Sequence, residues 1–224
     1  MSEIRRIKTA LISVYYKENL DSVVKKLDEL NIKILSTGGT KAFIEDLGIP
    51  VMSVEDITSY PSILGGRVKT LHPKIFGGIL ARRDEESDIE QLGTYGITDI
   101  DLVIVDLYPF EETVKTALNE HEIIEKIDIG GISLIRAGAK NFRDILVISS
   151  RHQYKGLLDL LNAKNGETDI EDRREFASIA FDISSHYDTA IFNFFDKGRF
   201  KALKQSYSPS VKLRYGENPH QEGY

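Results

Sequence analysis

The sequence predicts an α/β fold, a doubly wound parallel sheet flanked by helices, with a C-terminal helical extension. Three observations carry this. Short apolar runs alternate with segments of helical period as far as residue 150, a glycine-rich turn follows the second run, and an apolar stripe at helical spacing persists from Ile170 to Phe194. Strands separated by helices run parallel, because each helix carries the chain back to the same edge.

The elements follow in order. "TALISV" (9–14) reads as a strand, "NLDSVVKKLDELN" (19–31) as an amphipathic helix and "IKILSTGG" (32–39) as a second strand running into a turn, which together make a β-α-β unit. "TKAFIEDLG" (40–48) opens on a capping threonine and closes on glycine, so it reads as a helix beginning near Thr40. "PVMSV" (50–54), "DLVIVDLYPF" (101–110) and "DILVISS" (144–150) supply three further strands. In such sheets ligands bind beyond the carboxyl ends of the strands, so the loops after Val14, Ser36, Val54 and Val105 should converge on one site. Ile170, Phe176, Ile179, Ile183, Tyr187, Ile191 and Phe194 then line one long helix that needs a partner, either its own domain or a second copy. The end, "YSPSVKLRYGENPHQEGY", is punctuated like a linker.

Composition narrows the function classes. The chain has 224 residues, net charge −6 and no cysteine. Without thiols there are no disulfides, thiolate metal sites or thiol nucleophiles, and the five histidines (72, 121, 152, 186, 220) lack metal-ligand spacing. The acidic balance argues against a nucleic-acid partner, and no apolar run is long enough for a membrane helix. The N-terminus has no apolar signal core, which gives a cytoplasmic expectation.

Within this acidic chain, cations gather beside glycines. "STGGTKAF" (36–43) combines Thr37, Gly38, Gly39 and Thr40 at a helix start whose amides and dipole suit a phosphate, with Lys17 on the adjacent loop. An ordinary βα turn is the alternative. "LGGRVKTLHP" (64–73) adds Arg67, Lys69 and Thr70 on a segment of neither helical nor strand period, either bent round a ligand or merely a charged surface. Lys74, just beyond it, reads as a solvated charge. "DLYPF" ends a buried strand with Asp106 and Tyr108, where the phenol either meets a heterocycle or closes the core. In "KIDIGGISLIRAGAKNF" (126–142), Asp128 precedes Gly130 and Gly131 and Lys140 ends the helix; the acid is either a cap or, with Lys69 and Lys140, part of an acid–base set.

The ordered motifs "STGGT", "YPSILGGRVKTLHPKIFGGILAR", "LYPF", "IDIGGISLIRAGAKN" and "RYGENPHQ" resemble the inosine monophosphate cyclohydrolase (IMP cyclohydrolase) domain family of bifunctional purine biosynthesis proteins, whose other half is a formyltransferase, the aminoimidazole carboxamide ribonucleotide transformylase. The resemblance covers nearly the whole chain. It implies a methylglyoxal-synthase-like fold and closure of 5-formamidoimidazole-4-carboxamide ribonucleotide to inosine monophosphate, without metal or organic cofactor. It places Lys17, Thr37, Gly38, Gly39 and Thr40 at the 5′-phosphate. Arg67, Thr70, Asp106 and Gly130 join the purine ribonucleotide site, and Lys69, Tyr108, Asp128 and Lys140 form the catalytic group. It also implies a homodimer, a cyclohydrolase core over 1–150, a helical extension over 151–200, and a linker over 201–224 entering a covalently linked transformylase domain. Arg214 and Tyr215 resemble nucleotide contacts of that domain, but transformylase activity is not expected of this chain.

The sequence departs from the family pattern in two places. Tyr15 and Tyr16 stand where a Ser-Asp pair is common, and Asp106 where asparagine is common. The competing readings are a methylglyoxal-synthase-like lyase and a catalytically silent nucleotide-binding module. The first does not account for "GGRVKTLHP" and "IDIGG", and the second does not need Asp128 with Lys140.

Overall fold

A computed structural model describes residues 4–199, 202–207, 214 and 218. The expected "RYGENPHQ" contacts, Tyr215 among them, fall mostly outside these residues. The chain forms two compact units, Met1–Ser184 and Ser185–Tyr224.

In the first unit, β1 (Arg5–Arg6) precedes β2 (Thr9–Ser13), and α1 (Leu20–Glu29) returns the chain to β3 (Lys33–Ser36). Then follow α2 (Gly38–Asp46), β4 (Met52–Ser53) and α3 (Val54–Thr58). The third strand is therefore shorter than "PVMSV" predicts. Ser53 accepts from the Asp56 N–H and Asp56 reaches back to Ser53, so a capping box turns the chain into helix at Val54. Next come α4 (Pro73–Leu80), α5 (Glu86–Thr94), β5 (Leu102–Val105), α6 (Phe110–Thr116), α7 (Glu120–Ile124) and α8 (Gly130–Lys140). The unit closes with β6 (Leu146–Ile148), α9 (Tyr154–Lys164), β7 (Glu167–Thr168) and the start of α10 (Ile170–Asp196).

Five strands form one parallel sheet in the order β4-β3-β2-β5-β6, and β1 pairs antiparallel with β7. Both faces of the sheet are apolar because both are covered by helices. Ile12, Leu102, Ile104 and Ile148 point to the face holding Val23 and Leu27 of α1 and Leu157 of α9. Leu11, Val103, Val105 and Val147 point to the other, with Ile75 of α4 and Leu134 of α8. β2 pairs with β3 on one side and β5 on the other, so connections leave in opposite directions at the Ser13–Val105 pair. The crevice beyond those carboxyl ends is where such sheets hold ligands.

The long helix forms as the apolar spacing predicts, but its buried face is different. Within the first unit Arg173, Ala177, Ala180 and Ser184 are the buried positions of α10, while Phe176 and Ile179 flank them half-buried. Small side chains let the helix lie close to the core. Arg173 is 1% exposed and is satisfied there, donating to Phe142 O (2.9 Å), Thr168 O (2.8 Å) and Thr168 Oγ1 (2.9 Å). In the second unit, Phe194 and Phe195 meet edge to face at 5.3 Å, and Lys204 Nζ stands 4.7 Å from the Phe192 ring centroid.

Candidate active site

A cavity of about 910 Å³ opens beyond the carboxyl ends of β2, β3 and β5. That volume accommodates a nucleotide-sized ligand. The loops after Val14, Ser36 and Val105 reach it as expected. The segment after Val54 reaches it only past α3, through residues 64–70.

One end is cationic. Thr37 is the N-cap of α2, which begins at Gly38, two residues before the expected start. The amides of Gly38 and Gly39 therefore open its first turn, where no intrahelical acceptor exists. Lys17 folds back on its own loop, donating from Nζ to Val14 O and to Tyr15 O (3.1 Å). Burial lowers its pKa, and Lys69 adds to the lowering against the opposing charge of Asp106. A Cβ on Gly38 would stand 3.3 Å from Lys69 Nζ, so the second ammonium lies against the same helix start. Thr40 does not present its hydroxyl here. Buried, it donates to Val14 O (2.9 Å) and accepts from Val14 N (3.2 Å), bracing the loop after β2.

The segment 64–73 is neither helix nor strand over most of its length, with one 3-10 turn at Leu64–Gly66. Leu64, Gly65 and Gly66 have φ of 52°, 66° and 85° in succession. Two of these left-handed positions are glycines, and Leu64 carries the strain. The bend turns Lys69 and Thr70 inward; Thr70 is buried, and its Oγ1 lies 2.8 Å from where a Gly130 Cβ would stand. Arg67 is exposed and pairs with Glu125 across the mouth. Lys74 is not simply solvated, for its Nζ donates to Ile57 O (3.1 Å).

The other end pairs an acid with a phenol. Asp128 accepts from Gly131 N (2.6 Å) and from the backbone N–H of Tyr108. Burial nevertheless raises its pKa above the usual carboxylate value, against those bonds and the charge of Lys69. Burial, the charge of Asp128 and Tyr15 together raise the Tyr108 phenol, so it stays protonated at neutral pH. Asp106, buried at the end of β5, accepts from the N–H groups of Tyr15 and Tyr16 (3.1 Å to the latter), and burial raises its pKa too. It thus joins the loops after β2 and β5.

Two expected site residues do not line this cavity: Gly38, which sits between Thr37 and Gly39 of its wall, and Lys140. Lys140 is exposed at the last position of α8, ten residues from Gly130, or about 15 Å at the rise of an α-helix. The glycine-rich start of that helix lines the cavity and the lysine at its other end does not. Conversely, Ser13, Tyr15, Glu125 and Lys126 line it without having been singled out as site residues. The tyrosine pair was visible as a departure, whereas Lys126 carried no pattern distinguishing it from a surface lysine. Among the described residues no group of three or more His, Cys, Asp or Glu is placed to hold a metal ion.

The family model of the MGS-like domain matches residues 19–133, just over half of the chain. The chain belongs to the MGS-like domain family. This MGS-like chain is matched over residues 138–224 by a second family model, the AICARFT/IMPCHase bienzyme. It is 62% identical over 224 residues to the bifunctional purine biosynthesis protein PurH of Bacteroides thetaiotaomicron, covering 100% of the chain and 44% of that protein. The PurH of Aquifex aeolicus is 45% identical over 222 residues, with 96% of the chain and 43% of that protein covered. The chain thus spans less than half the length of these curated relatives. The crystal structure of ForH superposes with a TM-score of 0.74 at 34% identity, covering 84% of the chain and 96% of that one. The parallel sheet and its switch point are therefore those of an MGS-like domain.

Proposed function

We propose that the chain is an IMP cyclohydrolase that closes 5-formamidoimidazole-4-carboxamide ribonucleotide to inosine monophosphate with loss of water. One observation carries the reading. A single cavity holds Lys17 and the α2 start at one end and a half-buried Asp128 beside Tyr108 at the other, with Lys69 between them, near Gly38 and within the field of Asp128, which is the polarity of a nucleotide with its phosphate remote from the reacting ring. The names of the relatives and the bienzyme model support it. A silent nucleotide-binding module would have no use for a half-buried acid with a raised pKa.

Nucleophile and electrophile lie on one molecule, so holding them in contact removes much of the barrier. The carboxamide nitrogen bonds to the formyl carbon while the carbonyl π electrons move to oxygen. Lys69 and the protonated Tyr108 phenol stabilise that oxyanion and supply its proton. Asp128, its basicity raised by burial, takes the carboxamide N–H proton. The carbinol oxygen then leaves as water, the formamido nitrogen loses its proton and the C=N bond forms. Lys17 and the amides of Gly38 and Gly39 hold the phosphate, with Thr37 and Thr40 shaping the turn. Arg67, Thr70, Asp106 and Gly130 complete the nucleotide site.

The resemblance also gives Lys140 a part. Because it lies outside its own cavity, that part is played in a homodimer, Lys140 of one copy serving the cavity of the other. In this reading the core spans 1–150, the helical extension 151–200, and 201–224 leads to a covalently linked transformylase domain; the protein is cytoplasmic. No helix among the described residues is long and apolar enough to cross a membrane. The test is the ultraviolet change on incubating the chain with the formylated ribonucleotide. Inosine monophosphate formation at enzymic rates is expected, and binding without turnover would overturn the reading.

A further inference from the structure

The two departures from the family pattern, Tyr15-Tyr16 and Asp106, form one device. The Asp106 carboxylate takes the backbone N–H of both tyrosines. The two rings meet edge to face, with centroids 5.0 Å apart at 85°. Tyr16 stands outside the cavity lining, its hydroxyl donating to Glu112 (3.2 Å) with the Arg151 guanidinium 4.0 Å from its ring centroid. Tyr15 lines the cavity and meets Tyr108 edge to face, with centroids 5.4 Å apart at 84°. Lys126 Nζ stands 5.1 Å from the Tyr15 centroid and 5.4 Å from that of Tyr108. Edge-to-face rings and an ammonium over a ring each favour one arrangement, and here both act on the same side chain.

We propose that Tyr15 is a positioning residue: anchored by Asp106 and roofed by Lys126, its ring fixes the rotamer of Tyr108 and so aims the phenol at the reacting end of the cavity. The inference rests on the cyclohydrolase reading and deepens it. Tyr108 is 38% exposed and Tyr15 42%, so burial holds neither ring, and Tyr15 is held by its contacts with Tyr16 and Lys126. The Tyr108 backbone is tied through the N–H to Asp128, which leaves the side-chain torsion to be set by its neighbours. The contacts of Tyr15 with Tyr108 and Lys126 are made by the ring face and edge, so phenylalanine suffices in its place and a branched aliphatic does not. A donor displaced by a fraction of an ångström loses much of its effect on a developing oxyanion.

The experiment compares Tyr15→Leu, Tyr15→Phe, Tyr108→Phe and the double variant Tyr15→Leu/Tyr108→Phe in the full chain. Tyr15→Leu is expected to lower kcat about tenfold with KM within about twofold, and Tyr15→Phe to restore most of it. With the phenol already gone, Tyr15→Leu should cost less than about a further twofold. Equal losses in both backgrounds, a change in KM alone, or Phe no better than Leu would overturn the proposal. A second readout needs no turnover. In spectra of ring-labelled tyrosine, the Tyr108 resonance, identified by its disappearance in Tyr108→Phe, should move in Tyr15→Leu as the neighbouring ring current is lost. An unmoved resonance overturns the proposal as well. Absence of cyclohydrolase activity in the parent chain would instead count against the proposed function, with the spectra still deciding the role of Tyr15.

Discussion

A Cβ on Gly131 would stand 2.5 Å from Oδ2 of Asp128. Gly131 does not lie in the left-handed region, so contact alone excludes a side chain there. Gly131→Ala should push the carboxylate away and break its 2.6 Å bond from Gly131 N. Turnover is expected to fall about 100-fold, as for a misplaced reacting group, with about 1–3 kcal/mol lost in urea unfolding. Full turnover in Gly131→Ala would remove Asp128 from the reaction.

Lys17→Ala should raise KM more than it lowers kcat, because a contact to a remote phosphate is largely uniform binding. The lowered pKa adds a signature in pH. Lys17 loses its charge before an ordinary lysine does as pH rises, so nucleotide affinity should decline on the alkaline side earlier than ordinary lysines titrate. Isothermal titration with inosine monophosphate against pH reads this, and Lys17→Ala should flatten the profile.

Asp106 separates charge from hydrogen bonding. Asp106→Asn retains an acceptor for the tyrosine amides and should fold with unchanged or raised stability, while Asp106→Ala leaves two part-buried N–H groups unpaired and should lose about 1–3 kcal/mol. The sign with pH follows from the raised folded pKa. The folded state binds this proton more tightly than the unfolded chain, so the contribution is complete below the unfolded value and is lost as pH rises through the folded one. Urea midpoints should therefore gain less on acidification in Asp106→Asn than in the parent chain.

Lys69→Ala should cut turnover on the order of 100-fold, the usual cost of one preorganised oxyanion donor. Lys74→Ala, five residues on, removes only a bond to Ile57 O and should keep turnover while losing at most about 1 kcal/mol. Similar small losses in both would return segment 64–73 to the status of a charged surface loop.

Neither Lys69→Ala nor Lys140→Ala should be active alone if Lys140 serves the cavity of a second copy. Mixed after unfolding and refolding together, they should recover roughly a quarter of parental activity, since half the dimers are mixed and each holds one intact cavity. No recovery would leave Lys140 without a role at this site.

Apolar periodicity made the sheet legible, because Leu102–Val105 and Leu146–Ile148 are buried on both faces and little else fits such runs. The cationic end was legible because a glycine turn and a helix start adjoin in sequence and the parallel β-α-β unit sets the loop of Lys17 beside them. What the sequence left hidden was distance and direction. Lys140, which the family resemblance places with Asp128, stands at the far end of an eleven-residue helix, and spacing along the chain does not show that separation. Arg173 was hidden because its partners, Phe142 O and Thr168, are backbone and hydroxyl groups that leave no charge pattern. Thr40 had the right chemistry, but Val14 engages its hydroxyl, and only tertiary structure shows that.

The pairing of Ser13 with Val105 also orders events in time. Lys17 and the α2 turn lie between these two positions in the chain, Asp106, Tyr108 and Asp128 follow the second, and the pair closes a loop of some ninety residues. Closing that loop is entropically slow, so neither half of the cavity faces the other until the central strands have met. Nucleotide is then recognised only by molecules that have passed the folding barrier. It should retard unfolding and lengthen the lifetime of the assembled state while leaving the refolding rate untouched.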